Sequence, residues 1–113
     1  GYYDQRTLTF QYEGQDGALK MAEIMASLRK PLSEFADPLL RSASRIDYLH
    51  DNTGLPASDV LEFRLADGRK FLVRPSGTEP KLKSYFFASG QSKQEATDGL
   101  DHLEPLIVSL CNA

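Results

Sequence analysis

The residues best suited to chemistry lie in one short stretch, Arg74–Lys83, which reads RPSGTEPKLK. Arg74 carries a planar guanidinium whose N–H groups can hold two oxygens of a phosphate at once. Ser76 and Thr78 add hydroxyl donors, and Gly77 lets the backbone approach a ligand without a Cβ clash. Successive backbone N–H groups in such a tight turn can form a concave anion site. The stretch therefore predicts an anion-binding loop.

The residues that flank this loop agree with that interpretation. Pro75 and Pro80 stiffen its two ends, so less conformational entropy is lost when an anion binds. Lys83 supplies a second positive charge at the start of the following strand. From the residues alone, an ordinary solvated turn between strands stays open as the alternative. A nucleotide-binding P-loop is excluded, because the Gly-Lys-Ser/Thr ending and the helix that must follow it are absent.

Charge is distributed unevenly along the chain. The 113 residues have a net charge of −3, yet residues 64–83 contain six cations and two anions, against seven cations and fourteen anions in the remainder. An acidic protein with one basic stretch does not favour non-specific binding to nucleic acid or to an anionic membrane. Hydrophobic residues make up 41% of the sequence, which is enough for a core and argues against global disorder.

Cysteine and histidine add little chemistry. The single cysteine, Cys111, excludes an intrachain disulfide and a cysteine-based metal site, and favours a reducing compartment. His50 and His102 lie far apart in sequence, and we expect both on the surface. We find no signal peptide and no apolar run long enough to span a bilayer. We therefore expect a cytoplasmic protein with no membrane partner.

Apolar periodicity predicts an α+β fold. Two-residue alternation, as in TLTFQYE and VLEFRLA, indicates strands. We place strand segments at residues 7–13, 44–50, 60–66, 70–74 and 81–88. The segment at 44–50 is expected to be a short strand. The order strand, helix, strands, helix predicts an antiparallel sheet of about four strands with two helices on one face. We expect residues 1–113 to form a single domain.

Both helices are predicted from apolar residues at helical spacing. The first begins after Asp16-Gly17 and ends before Pro31, and its apolar stripe is Met21, Ile24, Met25 and Leu28. The second begins at Ser92 and runs to about Cys111, and its stripe is Ala96, Leu100, Leu103, Ile107 and Leu110. Gly99 and Pro105 weaken this helix, and Pro105 is expected to kink it or split it in two. Residues 32–42 are expected to be irregular.

The chain resembles the C-terminal domain of the α-D-phosphohexomutase superfamily, which includes phosphoglucomutases and phosphomannomutases. Residues 74–83 look like the phosphate-binding loop of that family. Similarity extends over nearly the whole chain and includes Val-Leu-Glu-Phe at 60–63, Asp-Gly at 67–68, Phe-Leu-Val-Arg at 71–74, Tyr-Tyr at 2–3, Leu-Thr-Phe at 8–10 and Glu-Gly at 13–14. The loop motif is specific to this family, whereas the sequences of the helices are not.

The resemblance implies a TATA-box-binding-protein-like fold and assigns roles to the loop. Its substrate-phosphate contacts would be Arg74, Ser76, Gly77, Thr78 and Lys83. Glu79 and Lys81 would support them. Because the carboxylate of Glu79 would repel phosphate, we expect it to orient Lys81, Arg74 or the turn.

The resemblance also implies parts that this sequence lacks. Such enzymes use a serine that carries a phosphoryl group, an Asp-rich loop that binds magnesium, and a Gly-Glu-x-Ser-Gly sugar loop. We expect none of these parts here, and therefore no catalytic residue, no metal site and no bound cofactor. The full-length enzyme would use magnesium and a hexose 1,6-bisphosphate activator. The partners of this domain would be a hexose 1- or 6-phosphate and the other domains of its own chain.

A non-enzymatic α+β module that binds RNA or protein is the alternative. The segment Lys83–Phe87 combines basic and aromatic residues, as RNA-binding strands do. The acidic net charge and the absence of a glycine-rich RNA-binding motif count against it. Binding assays with RNA and with sugar phosphates would separate the two interpretations.

We predict that this chain alone has no mutase activity, because it lacks the nucleophile and the metal loop. The measurement is conversion of a hexose 1-phosphate by the purified chain. Turnover that a substitution within these residues abolishes would contradict the prediction.

Overall fold

An antiparallel sheet of five strands organises the protein, and the computed structural model describes residues 1–112 of it. The strands, in chain order, are β1 (Tyr2–Gln11), β2 (Ser44–Asp47), β3 (Leu61–Arg64), β4 (Lys70–Pro75) and β5 (Lys81–Gly90). Across the sheet their order is β1-β5-β4-β3-β2. The helices are α1 (Gly17–Leu28), α2 (Pro38–Arg41) and α3 (Lys93–Cys111). The predicted α+β antiparallel fold is confirmed, with five strands rather than about four.

The core lies between one face of the sheet and the helices. Alternate residues of β5 are fully or almost fully buried, namely Leu82, Ser84, Phe86 and Ala88. They lie beneath α3, whose buried residues are Ala96, Leu100, Leu103, Ile107 and Cys111. α1 adds Ile24, Met25 and Leu28 to the same core. The intervening residues of β5 point to the opposite face, because side chains alternate along a strand.

The largest differences from the predicted segments lie at the start of β1 and in residues 32–42. β1 begins at Tyr2 rather than Thr7, because its first half pairs with the end of β5, where Tyr2 lies opposite Gly90. Residues 32–42, predicted to be irregular, contain a 3₁₀ turn (Leu32–Glu34) and the short helix α2. The Asp37 carboxylate caps α2 by accepting a hydrogen bond of 2.9 Å from the N–H of Leu39. The short length of both elements leaves too few residues for a periodic pattern.

Helix α3 continues through Pro105, so the predicted split is wrong. Pro105 is itself exposed, whereas Leu103 and Ile107 on either side of it are fully buried. Packing of these neighbours onto the sheet outweighs the hydrogen bond that proline removes. At the far end Leu110 is only half-buried, and Cys111 takes the last buried position. Burial raises the pKa of the Cys111 thiol to about 12, so this thiol is unreactive at neutral pH.

We predict that Ile107→Ala lowers the free energy of unfolding by about 2–5 kcal/mol, because it empties a fully buried position in the turn after Pro105. Urea denaturation of the purified chain measures this loss. Replacement of the exposed His102 by alanine is the control, with an expected change within about 0.5 kcal/mol. Equal effects of the two substitutions would show that the helix is not packed beyond Pro105.

Candidate anion-binding site

Two cations lie side by side on the face of the sheet that points away from the helices. Arg74 on β4 is directly opposite Lys83 on β5, and both side chains are exposed. Their neighbours Val73 and Ser84, also directly opposite each other, are buried on the helix-covered face. Like charges at such a position repel each other and destabilise the pair of strands. The arrangement leaves a concentrated positive charge that an anion can neutralise.

Neither cation is neutralised by a carboxylate of residues 1–112. Across residues 1–112, no carboxylate lies within ion-pair distance of Arg74 or Lys83. The other cations of the basic stretch are engaged: Arg64 pairs with Glu62, Arg69 pairs with Asp67 and Lys81 pairs with Glu79, while Lys70 lies over the Phe87 ring. The free positive charge is therefore concentrated at the Arg74–Lys83 pair.

The loop that joins β4 and β5 leaves backbone donors free. The N–H of Ser76 donates to the carbonyl of Lys81 at 2.8 Å, and the N–H of Lys81 donates to the carbonyl of Glu79 at 2.8 Å. In the part of the chain that is described, no protein acceptor takes the N–H of Gly77 or Thr78. Both residues are exposed, so these donors are available to a ligand.

Gly77 is not required by the backbone conformation of this loop. Its φ lies outside the left-handed region, and a Cβ added to it would meet nothing within 4 Å. The turn itself would therefore accept another residue at this position. Its expected benefit, the open approach of a ligand to the backbone, agrees with the empty space beside it.

Glu79 pairs with Lys81 rather than with Arg74. The Lys81 Nζ and a carboxylate oxygen of Glu79 are 2.9 Å apart, and this hydrogen bond lowers the pKa of Glu79. Because both groups are partly or largely exposed, the pair contributes little to stability. It leaves the rim of the loop almost electrically neutral, next to the unpaired Arg74 and Lys83.

The structure adds three residues that the sequence did not single out. Thr9 on β1 lies opposite Lys83 on the other side of β5, so Thr9, Lys83 and Arg74 form a row across three strands. The N–H of Tyr12 donates to the carbonyl of Pro80 at 2.9 Å, and Gly17 packs against Pro80. The outward position of Thr9 in the period-two pattern of β1 was a usable signal, whereas nothing in the sequence links residues 12 and 17 to residue 80.

The other candidate groups lie outside this loop. His50 is exposed and its Nδ1 lies 2.8 Å from a carboxylate oxygen of Asp47, while His102 is exposed on α3. Within residues 1–112 there is no group of three or more His, Cys, Asp or Glu side chains that could hold a metal ion. Magnesium, which the family resemblance implies, therefore has no fitting ligand set here. None of the helices in this range is long and apolar enough to cross a membrane.

Comparison with known proteins identifies the family. The family model described as phosphoglucomutase/phosphomannomutase, C-terminal domain, matches residues 13–102. A probable phosphomannomutase of Haemophilus influenzae is 36% identical over 78 residues, which are 68% of this chain and 15% of that protein. A phosphoglucomutase of Staphylococcus saprophyticus is 32% identical over 108 residues, covering 86% of this chain and 19% of that protein. The chain therefore belongs to the phosphoglucomutase/phosphomannomutase family, in which it corresponds to the C-terminal domain.

Two further matches define its relation to longer proteins. A phosphoglucosamine mutase of Oceanobacillus iheyensis is 28% identical over 104 residues, covering 84% of this chain and 23% of that protein. The open form of pp63/parafusin from Paramecium superposes with a TM-score of 0.63 over 98% of this chain and 20% of that one, at 18% identity, which shows the shared fold. The chain thus spans roughly a fifth of the length of these relatives. Family membership favours the mutase-domain interpretation over an RNA-binding module.

We predict that Glu79→Gln strengthens the binding of inorganic phosphate at low salt, because it removes a negative charge and releases the Lys81 ammonium. The free energy of unfolding should change by less than about 0.5 kcal/mol, since the lost pair is at the surface. Calorimetric titration at two salt concentrations measures the first effect. Glu23→Gln, an exposed change on α1, is the control. Weaker phosphate binding by Glu79→Gln would show instead that Glu79 holds Lys81 in a binding position.

Proposed function

We propose that this domain binds the phosphate of a phosphosugar in an enzyme that transfers a phosphoryl group reversibly between C1 and C6 of a hexose. The observation that carries the proposal is the exposed pair Arg74 and Lys83, which has no acidic partner in residues 1–112 and lies beside the free N–H groups of the loop. The curated relatives, named as mutases of phosphorylated sugars, supply the substrate class.

Each group in the site has a distinct task in this proposal. The guanidinium of Arg74 binds two phosphate oxygens, and the Lys83 ammonium provides a second, less directional charge. The N–H groups of Gly77 and Thr78 and the hydroxyls of Ser76 and Thr78 donate to the remaining oxygens. A phosphate dianion with several acceptor lone pairs matches this set of donors better than a carboxylate does.

The reaction explains why a phosphate site is needed away from the reacting atoms. Transfer between C1 and C6 through a bisphosphorylated sugar leaves one phosphate unreactive in each half-reaction. Holding that phosphate positions the opposite end of the sugar, and binding energy remote from the reacting atoms then supports the chemical step. After the sugar reorients, the same site holds the other phosphate.

The covalent chemistry is assigned to the remainder of the full-length enzyme. There a serine would carry the phosphoryl group, and magnesium, held by an Asp-rich loop, would stabilise the charge that develops during transfer. A hexose 1,6-bisphosphate would serve as the activator that keeps this serine phosphorylated. In this proposal the enzyme is cytoplasmic and neither nucleic acid nor a membrane is a partner.

We predict that Arg74→Ala in the full-length enzyme lowers kcat/KM by about tenfold to a hundredfold, because charge-assisted hydrogen bonds contribute about 1.5–3 kcal/mol. Arg74→Lys should recover only part of the loss, since lysine cannot form the bidentate contact. Steady-state kinetics and thermal melting of both variants test this. Melting should change little because Arg74 is exposed.

The matched control is Lys93→Ala, which removes one exposed positive charge at the start of α3. Its kcat/KM should equal that of the parent enzyme. Full activity of Arg74→Ala, or a loss that follows unfolding alone, would show that Arg74 does not bind the phosphate.

A further inference from the structure

The far end of the anion-binding loop is attached to the rest of the domain through Tyr12. The backbone N–H of Tyr12 donates to the carbonyl of Pro80 at 2.9 Å. The Tyr12 ring is buried, with 6% of its surface exposed, and its hydroxyl donates to the carbonyl of Cys111 at the end of α3. One residue therefore connects the end of β1, the closing residue of the loop and the last turn of α3.

Gly17 packs closely against the backbone of Tyr12 and against Pro80. A Cβ added to Gly17 would lie 2.2 Å from the carbonyl oxygen of Tyr12, 3.0 Å from its carbonyl carbon and 3.3 Å from the Cβ of Pro80. The nearest atoms belong to the backbone, so no flexible side chain can rotate out of the way. The φ of Gly17 is not in the left-handed region, so close packing, and not backbone conformation, is the reason for glycine here.

The loop depends on its two ends for its position. Its tip, Gly77 and Thr78, has backbone N–H groups that no protein atom in residues 1–112 accepts. The β4–β5 ladder, which runs to Pro75 opposite Leu82, and the Ser76–Lys81 hydrogen bond hold both ends of the loop at the sheet. Pro80, between the tip and β5, has two further contacts: the hydrogen bond from Tyr12 and the packing of Gly17. A shift of Tyr12 would thus be passed to the donors of the loop.

We propose that Gly17 and Tyr12 are positioning residues that set the place of the phosphate donors by acting through Pro80. The inference rests on the proposed phosphate-binding function of the loop. Neither residue needs to touch the ligand in this arrangement. Their effect on substrate is transmitted by one directional backbone hydrogen bond, from Tyr12 to Pro80, and by the close packing of Gly17.

The test is Gly17→Ala in the full-length enzyme, with Gly99→Ala as the matched control. Both substitutions put a methyl group into a tight contact at a helical glycine. For Gly99, the added Cβ would lie 3.0 Å from the Cβ of Ala88. Gly99 faces Ala88, near the end of β5 that is remote from the loop, and has no hydrogen bond to the loop. Both variants should melt at a lower temperature than the parent. Below the melting temperature, only Gly17→Ala should lose affinity for phosphate.

The readouts are the KM for a hexose 1-phosphate and the inhibition constant of inorganic phosphate. A displacement of about 1 Å in a positioning group can reduce activity up to about a hundredfold, so we expect both constants to rise by about tenfold in Gly17→Ala. In Gly99→Ala both constants should stay within about twofold of the parent, as additivity of distant sites predicts. A purely structural role of Gly17 would lower the melting temperature without changing either constant.

If Gly17→Ala does not fold, Tyr12→Phe tests the positioning role instead. It keeps the buried ring and removes only the hydrogen bond to Cys111, so a smaller rise, about threefold, is expected in the same two constants. Unchanged constants in the folded variants, together with a loss in Arg74→Ala, would overturn the positioning role and leave the phosphate site intact. Full activity of Arg74→Ala would overturn the proposed function, and the positioning role with it.

Discussion

The antiparallel pairing of β4 with β5 is the constraint on which the site depends. Its register places Arg74 opposite Lys83 on one face and Val73 opposite Ser84 on the other. A shift of one residue would exchange these faces, bury the two cations and expose the core. The apolar residues of both strands therefore fix the register, and the register in turn brings two positive charges together. The burial of apolar side chains in the core therefore supplies the free energy that keeps the two cations next to each other.

The two faces of the sheet have separate tasks. The helix-covered face carries the core and also Arg6, whose guanidinium is 2.9 Å from carboxylate oxygens of both Asp101 and Glu104 on α3. The open face carries Arg74 and Lys83, whose mutual repulsion no residue in the described range offsets. Such local destabilisation is typical of functional sites, where a ligand supplies the missing opposite charge.

The sequence was a good guide where chemistry or periodicity is local. Leu61, Phe63 and Leu65, which alternate along one segment, are all buried. Ser92, where the last helix was predicted to begin, caps α3, with its side-chain oxygen 3.1 Å from the N–H of Glu95. The split predicted at Pro105 was wrong, because a propensity rule considers only the backbone of one helix. The packing of Leu103 and Ile107 against the sheet is a tertiary effect, and it keeps the helix continuous.

By itself, the sequence determined the fold class and the residues of the loop, because the alternation of apolar residues and the types of donor are local properties of the chain. Only the tertiary structure decided that Thr9 joins the row of Arg74 and Lys83, and that Tyr12 and Gly17 support the loop at Pro80. These contacts connect residues more than sixty positions apart. They arise because β1 pairs with β5 along its whole length, and no local pattern encodes that pairing.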